Sequence, residues 1–397
     1  MQREPLELYI HIPFCVKKCL YCDFLSFGTE DERLKDTPCL PSRKEPVPQN
    51  YIEALCREIG EWGRKKTLRH RPVISVFFGG GTPSLMSEKQ IFQVMAALRE
   101  TFSIQKNAEI TMESNPGTLT FSKLKAMRFC GINRLSIGLQ STSDEELKSL
   151  GRIHSYGAFL QSFKWAREAG FHNINVDLMT ALPNQTEESY RQTLKQVLLL
   201  EPEHISAYSL IIEPDTPFEK MEEEGKLNLP DEDSERQMYY ITKDLLAKAG
   251  YHRYEISNYA RPGYECRHNI GYWRRSDYLG LGLGASGLIG NHRFTNPVDM
   301  SVYVSGHPGD NLWFSDTEEL SRDNAMEEFM FLGLRMLSGV SEIDFKKCFD
   351  EKLMKIYGDA VRKNVAAGLL KRKNRKIFLT DLGLDVANQV MTDFLLD

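Results

Sequence analysis

The chain has 397 residues, 41% of them hydrophobic and 26% charged, with a formal net charge of −5 at pH 7. This length suits one large domain plus a smaller one, and the composition excludes a disordered or collagen-like chain. The acidic balance excludes a global basic field, so no nucleic-acid partner is expected.

No apolar run reaches the length of a membrane span, so contact with a membrane is expected to be peripheral at most. Residues 1–9 carry acidic side chains and lack the apolar core of a secretory signal, and the expected location is cytoplasmic.

Residues 8–14 (LYIHIPF) read as a strand. The segment 29–50, with four prolines and mixed charge, reads as a surface loop inserted after it. A helix is expected over 51–65, where apolar residues recur at Tyr51, Leu55 and Ile59. The alternation continues through strand 73–78, helix 88–102, strand 109–113, helix 122–129 and strand 134–139. Helix 156–169, strand 173–179, helix 187–200 and strand 204–212 complete the series. About six such β/α units predict an α/β fold, a partial (β/α)6 TIM-like barrel. Residues 280–290 are glycine-rich and read as a turn-dense connection. After residue 315 helices are expected over 323–337 and 349–366, then a hairpin over 368–379 and a last helix over 381–394. The expected organisation is a barrel domain over residues 1–300 and a winged-helix-like domain over 315–397.

Of the eight cysteines, Cys15, Cys19 and Cys22 fall on one loop just after the first strand. In a reducing compartment such clustering points to metal or redox chemistry rather than to a disulfide framework. Three thiolates on one loop can hold a [4Fe–4S] cubane, which usually takes four, and leave one iron open to a ligand. A zinc site would need its tetrahedral set completed by a distant residue, since no second Cys/His pair has zinc spacing.

Gly79-Gly80-Gly81-Thr82-Pro83 closes the second strand, where missing Cβ atoms allow either a tight turn or close approach of a ligand. No Gly-Lys-Ser/Thr follows, so this is not a nucleoside-triphosphate loop. Glu113, Gln140 and Asp177 stand at or near the ends of successive strands, the rim at which parallel α/β folds bind ligands. Arg152 adds a fixed positive charge.

The spacing Cys15-x3-Cys19-x2-Cys22 resembles the signature of the radical S-adenosylmethionine superfamily. That resemblance implies that S-adenosylmethionine chelates the open iron through its amino and carboxylate groups. It also implies an electron donor for the cluster and cleavage of the sulfonium to a 5′-deoxyadenosyl radical. More narrowly, the chain resembles oxygen-independent coproporphyrinogen III oxidase and its relatives. The matching pieces are Tyr9-Ile-His-Ile-Pro-Phe-Cys15, Gly79-Gly-Gly-Thr-Pro, Glu113-Ser-Asn-Pro and Asn133-Arg-Leu-Ser-Ile-Gly-Leu-Gln-Ser. Gly151-Arg-Ile-His, Asn175-Val-Asp-Leu-Met and Leu182-Pro-Asn-Gln extend the match across most of the barrel. In that family the positions of Tyr9, Gly80 and Glu113 contact the cluster-bound S-adenosylmethionine. Tyr21, Gly81, Thr82, Gln140, Arg152 and Asp177 match positions around a second molecule of it.

Two departures weigh against porphyrinogen decarboxylation. The oxidase pattern has a further cysteine two residues after the third, where this chain has Asp23-Phe24. The oxidase also carries a longer N-terminal extension than the eight residues that precede Tyr9 here. A third feature, His268-Asn-x-x-Tyr272-Trp273, resembles a motif of the haem chaperones in this family. It implies His268 as a haem-iron ligand, with Tyr272 and Trp273 lining the pocket and Cys266 as a competing thiolate. The alternative is a core histidine satisfied by hydrogen bonds. The expected function is a haem chaperone that binds haem and passes it to an acceptor protein; oxidative decarboxylation of coproporphyrinogen III to protoporphyrinogen IX is the rival.

Two motifs are set aside. Gly282-x-Gly284-x-x-Gly287 lacks a βαβ setting, and the basic run 371–376 reads as a solvated hairpin tip.

Overall fold

The computed structural model describes residues 4–29, 31–35, 37–306 and 313–396; residues 30 and 36 of the expected inserted loop lie outside these. Six strands in chain order form the parallel heart of the fold: β1 (Leu6–Ile12), β2 (Pro72–Gly80), β3 (Ser103–Ser114), β4 (Arg134–Gln140), β5 (Ile174–Thr180) and β6 (His204–Ser209). Each consecutive pair is joined through at least one helix. Ser87 illustrates how these helices start: its hydroxyl caps Glu88–Thr101 while Gln90 returns a bond to the cap, a complete capping box.

Period-two patterning sorts each strand into two faces. Leu6, Leu8, Ile10 and Ile12 of β1 join the apolar core under the helices, as do Leu135, Ile137 and Leu139 of β4. The alternate residues turn inward and are largely polar. Ser136 bonds to Asp177 and Asn175, His204 and Ser206 bond to Asn175, and Tyr208 bonds to Gln140. A barrel with so polar a lumen must pair its groups internally, because each unpaired one costs about 1–3 kcal/mol.

The sheet is wider than the six expected units. Its twelve strands also include β7 (His252–Arg253), β8 (Asn258–Ala260), β9 (Tyr278–Leu281), β10 (Ser286–Ile289), β11 (His292–Thr295) and β12 (Asp316–Glu319). Strand β9 pairs parallel to β1, from Glu7↔Tyr278 to Ile10↔Leu281, and is a seventh parallel strand. The other five are antiparallel additions at the two edges. The expectation of a turn-dense connection over 280–290 is met only in part. Gly280 and Gly287 lie in strands, where a Cβ would stand 2.0 Å from the Ser286 carbonyl oxygen and 2.4 Å from the Phe294 ring. Only Gly282 and Gly284, both with positive φ, make the turn between them.

A second apolar core gathers Met326, Met330, Leu334, Phe345, Val361, Ile377 and Phe394. Around it stand helix Arg322–Arg335 and the three-stranded antiparallel sheet of β13 (Val340–Ser341), β14 (Leu370–Lys373) and β15 (Lys376–Leu379). The helix expected over 349–366 is broken, because Asp350 takes a left-handed conformation after Glu342–Phe349. Short Leu353–Ile356 and then Gly358–Ala366 follow. The helix expected over 381–394 is likewise two short pieces, Asp381–Asp385 and Ala387–Thr392.

The basic run turns at Asn374 and Arg375, whose φ values of 52° and 58° are those of a tight hairpin turn with both central residues left-handed. Arginine is strained there. Arg375→Gly is expected to stabilise the C-terminal unit by about 1 kcal/mol, read as a higher thermal-unfolding midpoint. Among the described residues, no helix is long and apolar enough to cross a membrane.

Candidate functional site

At the C-terminal ends of the parallel strands the barrel opens into a cavity of about 300 Å³. Its upper wall is the cysteine loop, and the backbone explains why that loop is held. Phe14 and Phe27 form an isolated bridge, Cys15 N–H donates to Phe27 O at 2.8 Å, and Phe27 N–H donates to Pro13 O at 2.8 Å. Farther along, Leu20 N–H donates to Leu150 O at 3.1 Å and Phe218 N–H donates to Leu20 O at 3.1 Å. Cys15, Cys19 and Cys22 thus enter the cavity from a loop tied to three other segments.

The end of β2 forms the floor. Gly80 has φ of +107°, and a Cβ there would stand 2.5 Å from the His11 ring. At Gly81 a Cβ would stand 2.7 Å from Phe14 O, against the base of the cysteine loop. Gly81→Ala is accordingly expected to displace that loop and to lower iron and sulfide uptake several-fold during anaerobic reconstitution, checked by metal analysis.

Strands β3, β4 and β5 supply the far wall. Glu113 is pushed up to about 8 by burial, with the neighbouring Asp177 adding to the rise. Burial raises Asp177 as well, opposed by hydrogen bonds from Asn175, Ser206 and Ser136. Gln140 ends β4 at φ 71°, just after a register shift that aims its amide at the cavity. Burial works against the charge of Arg152, but Tyr21, Cys19, Tyr208 and Asp177 outweigh it and the guanidinium stays charged.

The donor set fits an iron–sulfur cluster and a zwitterionic ligand. Burial pushes the Cys15 thiol up to about 11 and raises Cys22, so an iron centre binding there replaces protons. Among the described residues, no three His, Cys, Asp or Glu side chains close on a single point as a lone ion requires. The glycine floor leaves room that any Cβ would fill. Two carboxyl groups facing the cavity favour an ammonium or sulfonium, and Arg152, whose Nε is buried without a partner, favours a carboxylate.

Of the residues singled out in the sequence, Cys15, Cys19, Tyr21, Cys22, Gly80, Gly81, Thr82, Glu113, Gln140, Arg152 and Asp177 all line this one cavity. Two do not. Tyr9 lies beneath the floor, its ring 3.0 Å from where a Gly79 Cβ would stand and its hydroxyl 3.0 Å from His11 Nδ1.

His268 is the second. It sits at the opposite end of the barrel, 1% exposed, on helix Arg267–Trp273. Both ring nitrogens are engaged, Nδ1 with Ser75 Oγ at 2.9 Å and Nε2 with Tyr272 Oη at 3.0 Å, and the ring stacks on Phe77. Burial pushes it down to about 3, so it is neutral. In this placement His268 has the burial and the hydrogen bonds of a core residue, the alternative reading of its motif. Its helix closes the lower end of the barrel, with Gly271 so near Glu7 that a Cβ would stand 1.9 Å from Oε1. On its far side Trp273 takes Arg335 of the C-terminal unit over its ring at 4.4 Å. The cavity also holds residues that sequence reasoning passed over, among them Tyr208, Ser136 and Asn115. The signal for the first two was their inward register on β6 and β4.

Comparison with known proteins adds the following. The radical SAM superfamily model matches residues 9–197, and the HemN C-terminal domain model matches residues 320–386. The chain is 36% identical over 397 residues to heme chaperone HemW of Lactococcus lactis, covering 100% of this chain and 99% of that protein. Against heme chaperone HemW of Escherichia coli it is 40% identical over 345 residues, covering 86% and 85%. The solved structure of coproporphyrinogen III oxidase (HemN) from Escherichia coli, a radical SAM enzyme, superposes with a TM-score of 0.82 at 25% identity. That superposition covers 100% of this chain and 91% of the other.

Proposed function

We propose, for a chain that belongs to the HemW family of the radical S-adenosylmethionine superfamily, that it holds haem and hands it to an acceptor protein. Cys15, Cys19 and Cys22 hold a [4Fe–4S] cluster whose open iron takes S-adenosylmethionine, with an external electron donor for the cluster. Gly80 and Glu113 meet that molecule directly, and Tyr9 supports the floor from beneath. Tyr21, Gly81, Thr82, Gln140, Arg152 and Asp177 form the remaining wall, with room for a second polar ligand. The bound cluster supplies one-electron chemistry and a binding point; the chain supplies the enclosure. The protein works in the cytoplasm. Its two units divide near residue 320, where β12 ends and helix Arg322–Arg335 begins.

The observation that carries the haem reading is the lip of the cavity. Phe24 is 63% exposed and Ile211 66% exposed, and both border the opening. Phe24 occupies the position at which the oxidase pattern has its further cysteine. An apolar lip over a charged cavity suits a flat macrocycle with an apolar face and carboxylate edges, and Lys17 stands beside it to meet a carboxylate. Haem therefore rests at the mouth and not on His268.

The rival reading is the oxidase, favoured by the complete ring of polar groups around the cysteine loop. Haem-loaded chain mixed with apomyoglobin separates the two. Growth of the holomyoglobin spectrum is expected, together with no protoporphyrin from coproporphyrinogen III under reducing, S-adenosylmethionine-replete conditions. Cluster-dependent protoporphyrin formation without haem transfer would replace the carrier with the enzyme.

A further inference from the structure

Asn115 lies between the charge of Arg152 and the cysteine loop. Its Oδ1 accepts from Arg152 Nη1 at 2.8 Å, and its Nδ2 donates to Thr82 Oγ1 at 2.9 Å. Thr82 Oγ1 in turn donates to Cys15 Sγ at 3.4 Å. The direction of this chain is forced by its ends. A guanidinium only donates, so the amide oxygen must face it; the amide nitrogen then donates to Thr82, and the single hydroxyl proton is left for sulfur. The Asn115 backbone is itself held, its N–H donating to Ser84 Oγ at 3.3 Å. Thr82 is 2% exposed, so water does not compete for its proton.

We propose that Arg152, Asn115 and Thr82 form a polarised hydrogen-bond relay that raises the reduction potential of the cluster bound through Cys15. The inference rests on the reading that the cysteine loop holds a [4Fe–4S] cluster. Reduction adds negative charge that is shared by the ligating sulfurs, so a donor aimed at Sγ binds the reduced form more strongly. A donor whose own oxygen accepts from a charge-assisted chain is the stronger for it. Hydrogen bonds to cluster sulfurs are among the determinants of potential, and partners one step removed from a metal ligand tune it through that ligand. Thr82 and Asn115 act here as positioning residues, through Cys15.

The test is an EPR-monitored redox titration of the full chain after anaerobic reconstitution, with iron and sulfide counted beforehand. Thr82→Val removes the donor. Asn115→Asp offers Thr82 a better acceptor and turns its proton away from sulfur. Each is expected to lower the ratio of reduced to oxidised cluster at the parent midpoint roughly tenfold, which for one electron is a shift of about 59 mV to lower potential. Thr82→Ser, which keeps the hydroxyl, should retain the parent midpoint. Asn115→Asp also adds a charge, so the double variant isolates the relay: its extra shift over Thr82→Val must be smaller than the shift of Asn115→Asp alone.

Unmoved midpoints, or fully additive ones, overturn the relay while leaving the cluster in place. A parent chain that takes up no iron and sulfide overturns the cluster reading as well. A second measure does not depend on Thr82→Val assembling. Pulsed EPR of the reduced parent in D2O should show an exchangeable deuteron close to the cluster that Asn115→Asp removes, and persistence of that deuteron in the variant would refute the assignment.

Discussion

Cys19→Ala is expected to abolish the iron–sulfur absorption of the reconstituted chain completely while leaving saturable haem binding. The argument is one of count and place. A cubane on three thiolates already lacks its usual fourth, and removing one more leaves two ligands on a loop that cannot recruit another. Cys39 and Cys266 are buried elsewhere, engaged with Asn50 and Glu109 respectively. The loop itself should survive, since the backbone bonds at Cys15, Leu20 and Phe27 do not involve the Cys19 thiol. At the proposed mouth site haem would rest on Phe24 and Ile211 and lose no ligand in this variant. Metal and sulfide analysis beside a haemin titration checks both halves. Haem binding that vanished with the cluster would show that the two share one site.

His268→Ala is expected to destabilise the fold by about 2–4 kcal/mol while leaving the haem Soret band unchanged. The imidazole fills the closed end of the barrel, stacks on Phe77 at a centroid distance of 5.0 Å and answers Ser75 and Tyr272. Truncation leaves a cavity and the Ser75 and Tyr272 hydroxyls short of a partner, and it takes from Glu7 Oε2 the ring nitrogen 3.4 Å away. Thermal unfolding by circular dichroism reads the loss, and the haemin titration reads the indifference. A displaced Soret band at unchanged stability would return His268 to the iron.

Much of the fold was legible because the barrel strands carry apolar residues at every second position, a pattern that survives any detail of packing. The seventh parallel strand was not legible. Tyr278–Leu281 is four residues long and followed by glycines that resemble a turn, and only the close approach of Ser286 and Phe294 shows why glycine is needed there. The candidate site was legible where chemistry compresses into short motifs, as in the cysteine loop and the Gly79–Gly81 run. Asn115 and Tyr208 were harder, because each matters through a partner from a distant segment. His268 was ambiguous for the same reason. A histidine beside aromatics reads alike in a ligand pocket and in a core, and what decides is the register that sets it against Ser75 and Phe77 of β2.

The central claim is that this chain carries haem at the mouth of the barrel, beside but apart from its cluster. The measurement that tests it most directly is a haemin titration of the anaerobically reconstituted protein, following the Soret band, with Phe24→Ser beside the parent. The account predicts saturation near one haem per chain in the parent and at least roughly tenfold weaker binding in the variant, the loss of about 1.4 kcal/mol that an aromatic contact can supply. A parent that never saturates, or a variant that binds as the parent does, would contradict it.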